Sequence, residues 1–75
     1  MENPISVLRQ KKQLSRMELA RKAGISYPTL SVIETGLVET IRPKTAARIA
    51  EFAQKKPEDI RREYSEWKST LKDAA

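Results

Sequence analysis

From Leu14 to Gly36 the chain reads LSRMELARKAGISYPTLSVIETG, a run that encodes two helices and one tight turn. Ser15-Arg16-Met17-Glu18 has the form of a capping box. The Ser15 hydroxyl accepts from the Glu18 N–H, and the Glu18 carboxylate accepts from the Ser15 N–H. Leu14 before the cap and Leu19 at the fourth helical position form a hydrophobic staple. Leu19, Ala20 and Ala23 face inward, and Gly24 supplies the left-handed residue that stops the helix. Ser26 then caps a second helix, with Ile25 and Leu30 as its staple. Pro28 has no N–H, so Ser26 is expected to cap the Thr29 N–H. Tyr27 precedes a proline, which disfavours helical dihedrals, so the start lies at Tyr27 or one residue later. Leu30 and Ile33 point inward, and Gly36 ends the segment.

Working outward, prolines at 4, 43 and 57 open three more helices. Asn3 caps the first, which runs to about Lys12 with Ile5 and Leu8 on its inner face. Residues 37–42 form a loop. The fourth helix covers about Pro43 to Gln54, with Ala46, Ile49, Ala50 and Ala53 on its stripe. In the fifth, Ile60, Tyr64, Trp67 and Leu71 recur at spacings of four, three and four, which is one helical face. The expected architecture is all-α with five helices. Residues 1–56 form the core, and residues 57–75 are the C-terminal helix of the same domain.

A chain of 75 residues fits one domain with a small core. With no cysteine and no histidine, it lacks thiolate and imidazole ligands and the commonest general base. There is no Gly-rich phosphate loop and no metal-ligand spacing. The expectation is therefore no enzyme activity, no metal and no cofactor. No apolar run approaches the ~20 residues that span a bilayer, and no signal peptide is visible, so a cytoplasmic location without membrane attachment is expected. The net charge of +5 is unevenly spread. Residues 1–36 carry six basic and three acidic groups, residues 37–56 five and two, and residues 57–75 four and five. A basic body with a near-neutral C-terminal helix points to a polyanion on one side only.

Two short helices joined at Gly24 form the helix-turn-helix pattern, in which the head of the second helix meets base edges in the DNA major groove. In detail, Leu14 to Gly36 resembles the phage repressor/Cro (XRE) helix-turn-helix family. That family reads Leu-Ser/Thr-Gln-x-x-Leu-Ala, then Gly-Val/Ile-Ser, then Ile/Leu-Ser-x-Ile-Glu-x-Gly, with weaker agreement here from Ile5 to Ile60. The resemblance implies a lambda-repressor-like DNA-binding domain that regulates transcription at double-stranded operator DNA.

Residue roles follow from the resemblance. Tyr27, Pro28 and Val32 occupy base-facing positions, with Ser31 beside them. Ser15, Arg16, Ser26, Thr29, Thr35, Arg42 and Lys44 are assigned to the DNA backbone, with Arg16 standing where Gln usually contacts a phosphate. Arg9 and Glu34 match a partly buried ion pair that locks the first helix to the third. Tyr27 replaces the usual Gln, which pairs bidentately with adenine; tyrosine offers one hydroxyl and a ring face. The loop carries apolar residues and Glu39 where basic residues are commoner. Tyr64, Trp67 and Leu71 either complete a monomer core or form a homodimer seam, and the seam is favoured. A phage or mobile-element repressor is the leading expectation. The alternative is an antitoxin-like autoregulator that also binds a protein through the C-terminal helix.

Overall fold

The computed structural model describes residues 2–74 and contains five helices: α1 Pro4–Lys11, α2 Arg16–Ala23, α3 Tyr27–Glu34, α4 Pro43–Ala53 and α5 Pro57–Ala74. Among the described residues there is no strand, and no helix is long and apolar enough to cross a membrane. The helix starts have local causes. Asn3 accepts from the Ile5 N–H at 2.9 Å. Ser15 and Glu18 complete their reciprocal capping box. Ser26 accepts from the Thr29 N–H at 3.2 Å, the donor that Pro28 leaves as the next available. The helix α3 begins at Tyr27 despite the proline at the next position.

Four helix ends close in the same way. Gly24 (φ 74°), Gly36 (φ 79°), Gln13 (φ 55°) and Gln54 (φ 57°) are left-handed. The residue after each one donates back five positions: Ile25 to Ala20, Leu37 to Val32, Leu14 to Arg9 and Lys55 to Ala50. These bonds satisfy carbonyls that the helix itself leaves open. The glycines adopt this conformation without steric penalty, whereas the two glutamines are held there by the bonds from Leu14 and Lys55.

The core gathers Ile5, Leu19, Leu30, Ile33, Ile49, Ile60, Tyr64 and Trp67 from all five helices. Ile41 joins them at 2 % exposure, although it lies in the loop between α3 and α4. Tyr64 is fully buried and Trp67 nearly so, with their rings 5.6 Å apart and tilted by 49°. Tilted aromatic pairs of this kind add about 0.5–1.5 kcal/mol to the area they bury. A Cβ on Gly36 would lie 2.8 Å from Trp67 Cη2, so the tryptophan ring closes directly over the end of α3.

The expectation that Tyr64 and Trp67 form a dimer seam is therefore corrected: α5 folds back and both side chains are spent within the chain. The same burial removes them from any partner-binding surface. The radius of gyration, 11.4 Å, is close to the ~11 Å of a folded chain this long, as a docked α5 requires. Of the three seam candidates only Leu71 stays exposed, at 46 %.

The inner side of α5 also fixes the α3–α4 loop. Arg61 Nε donates to the Ile41 carbonyl at 3.0 Å, Tyr64 Oη to that of Val38 at 2.7 Å, and Lys68 Nζ to that of Gly36 at 2.7 Å. Positions 61, 64 and 68 share one helical face, so one element sets three points of the loop. Burial pushes the Tyr64 phenol above its usual pKa, with the Glu39 charge adding to the effect. Lys72 pairs with Glu39 at 3.2 Å, and Lys68 lies 3.8 Å away. The hydrogen bond from Lys72, helped by the charges of both lysines, holds the Glu39 carboxyl below its usual range. The acid that departs from the family pattern is thus tied to α5.

Candidate nucleic-acid interface

The head of α3 is presented by the turn before it. Gly24 and the Ser26 cap start α3 immediately after α2 ends, and Leu30 and Ile33 anchor its inner face. Tyr27 (44 % exposed) and Pro28 therefore stand in solvent, with Thr29, Ser31 and Val32 half-buried beside them. Ser31 lies one turn beyond Tyr27 and shares its face. Thr35 is exposed, but its hydroxyl is occupied in donating to the Ser31 carbonyl at 2.8 Å. The Ser26 hydroxyl donates to Thr29 Oγ1 at 2.7 Å, so this pair is tied together at the surface.

Two clefts separate α3 from the loop and from α4. One, of about 350 Å3, is lined by Thr29, Val32, Thr40, Arg42 and Thr45 among others. The second, of about 200 Å3, is lined by Ser26, Thr29, Lys44, Thr45 and Arg48 with the residues of the turn. Among the described residues no carboxylate lines either cleft. Arg42, Lys44 and Arg48 are exposed along this side. Such a surface, with threonine hydroxyls and three cations beside a protruding helix head, suits the phosphates flanking a groove.

Arg48 was not among the sequence-derived candidates. It lies four residues after Lys44 and so on the same face of α4, a signal the sequence did contain. One of its guanidinium nitrogens donates to the Gly24 carbonyl, which ties α4 to the turn. Ser15 is an exposed cap at the start of α2. The hydrogen bond from the Ser15 backbone, with its hydroxyl contributing, holds the Glu18 carboxyl below the usual range.

Behind the interface, the Glu34 side chain has no exposed surface. Its carboxylate accepts from Arg9 Nε at 2.9 and 3.2 Å and from Ser6 Oγ at 2.8 Å. Arg9 also donates to the Leu14 carbonyl at 3.0 Å. Asn3 Nδ2 donates to the carbonyls of Ile33 and Glu34, at 2.9 and 3.1 Å. The first helix is thereby fastened to the far end of α3. Sequence reasoning found the Arg9–Glu34 pair and missed Asn3 and Ser6, whose partners lie about thirty positions away. Arg16, assigned to a phosphate, is drawn inward: Nε lies 3.3 Å from Glu34 Oε2, and Nη1 donates to Ser31 Oγ at 3.3 Å.

Among the described residues no group of potential ligands could hold a metal ion. The family model described as Helix-turn-helix matches residues 5–60, most of the chain. The chain belongs to the XRE-type helix-turn-helix family. It is accordingly a DNA-binding transcription regulator with the lambda-repressor-like all-α fold of that family. Neither a curated protein nor a solved structure matches it. Within the family's plan, α2 and α3 are the two motif helices, and α3 is the one whose head enters the groove.

Proposed function

We propose that this protein is a sequence-specific repressor of the phage or mobile-element type, acting on double-stranded operator DNA in the cytoplasm. The observation that carries this reading is the exposed head of α3, flanked by clefts with basic rims and no acidic lining. A major groove about 12 Å wide admits one helix. With α3 seated there, Tyr27, Pro28, Ser31 and Val32 face base edges. Pro28 and Val32 offer only apolar contact, which suits the thymine methyl group. The Tyr27 hydroxyl and the Ser31 hydroxyl supply the hydrogen bonds.

Arg42, Lys44 and Arg48, with the capped N-termini at Ser15 and Ser26, meet the phosphates. Repression follows from occupancy, because polymerase and the repressor compete for the same duplex. The protein binds as a homodimer on half-sites about one helical turn apart. Leu71 and Leu37, 46 % and 77 % exposed, supply the apolar part of the seam.

The test is selection of bound sequences from random DNA, then titration of selected and random duplexes. Replacing both Tyr27 and Val32 with Ala is expected to weaken binding to the selected site by roughly tenfold or more, which is about 1.4 kcal/mol or more for the lost base contacts. Random duplex should be bound as before. An undiminished preference for the selected site would remove these residues from base reading.

A further inference from the structure

Arg16 holds an unusual place in the interface, at the first turn of α2 and against the outward face of α3. Its Nε lies 3.3 Å from Glu34 Oε2 but finds no hydrogen-bond partner there. The defined hydrogen bond of this guanidinium to another side chain is from Nη1 to Ser31 Oγ. Arg16 is therefore pinned by charge at Glu34 and directed by geometry at Ser31.

We propose that Arg16 is a specificity-determining residue that acts through Ser31, making that hydroxyl a hydrogen-bond donor that selects guanine. The proposal rests on the DNA-reading function above. A serine hydroxyl has one proton to donate and two lone pairs. Arg16 occupies one lone pair with a cationic donor, which polarises the O–H and makes it a stronger donor. No acceptor for the Ser31 hydroxyl proton is found among the described side chains and carbonyls around it, so the proton is left for DNA. The guanidinium also places a positive charge beside that point.

Both effects favour an electron-rich base edge. In the major groove guanine presents two acceptors, N7 and O6, whereas thymine presents one, O4, beside a methyl group, adenine pairs its N7 with a donor and cytosine presents an amino donor. Guanine is thus the best match. A glutamine in place of Arg16 would bring no charge and would leave the hydroxyl free to act in either direction.

The experiment is selection from random DNA with the full chain, then titration of duplexes changed at single base pairs. It uses the wild type, Ser31→Ala, Arg16→Gln and the double variant. The wild type is expected to prefer guanine at one position per half-site by roughly five- to tenfold. Ser31→Ala and Arg16→Gln should each erase most of that preference at the same base pair, and the double variant should lose no more than Ser31→Ala alone.

A uniform loss of affinity in Arg16→Gln on every duplex, with the guanine preference kept and the salt slope shallower by about 0.9 per subunit, would overturn the proposal. That result would make Arg16 a phosphate contact and leave the DNA-reading function standing. A wild type that selects no sequence would overturn both. Ser31→Ala leaves the Arg9–Glu34 pair intact, and thermal melts of each variant exclude loss of folding as the cause.

Discussion

Glu34→Ala is expected to lower the unfolding free energy by about 3 kcal/mol, the largest stability effect of any single charged side chain here. The carboxylate is wholly buried and meets Arg9, Arg16 and Ser6. Its removal leaves two guanidinium groups facing one another with no counter-charge. Breaking a buried pair in this way costs about 3–5 kcal/mol, and the lower end applies because Arg9 and Arg16 keep 21 % and 30 % of their side chains in water. A domain this small has a total stability of about 4–11 kcal/mol, so a quarter or more of it would go. The melting temperature should fall by at least ~12 °C, read by far-ultraviolet circular dichroism. A change below about 1 kcal/mol would mean that the arginines find water without cost and that the network does not lock α1 to α3.

The second large effect is on DNA affinity. With Arg42, Lys44 and Arg48 on phosphates, log K should fall against log salt with a slope of about −2.7 per monomer, doubled in a dimer. Raising salt from about 50 to 200 mM then weakens the monomer about 40-fold and the dimer about a thousandfold or more. Each of Arg42→Ala, Lys44→Ala and Arg48→Ala should flatten the slope by about 0.9 per subunit and lower affinity equally for all sequences. Arg62→Ala is the control. That arginine sits on α5, engaged by Asp59 and Glu66, and its loss should leave the slope unchanged. Equal slopes in all four variants would place the phosphates elsewhere.

The helix starts were legible because caps are local: Asn3, Ser15 and Ser26 each satisfy a donor two or three residues away. The glycine-terminated ends of α2 and α3 were legible for the same reason. The ends of α1 and α4 were placed to within a residue, but the left-handed turn at Gln13 and Gln54 was not foreseen, since nothing in a glutamine marks it as glycine does. Ile41 falls in a stretch whose local pattern is that of a loop. Its burial depends on α5 closing over that loop, which no local pattern reveals.

The choice between core and seam for Tyr64 and Trp67 turned on the same closure. A helical stripe says that a face is covered and not by what. At the interface, the exposure of Tyr27 and Pro28 arises from the short turn and the inward Leu30 and Ile33. The inward pull on Arg16 could not be read, because it depends on Glu34 and Ser31 converging from α3, fifteen and more positions away.

Backbone amide shifts of 15N-labelled protein, monitored by nuclear magnetic resonance as a duplex is added at low salt, bear most directly on where DNA sits. Shifts are expected at Ser15–Met17, at Ser26–Val32 and at Thr40–Arg48, with the outer face of α5 from Arg62 to Ser69 left unchanged. Shifts confined to α5, or no shift at any residue, would contradict the assignment of this face to DNA.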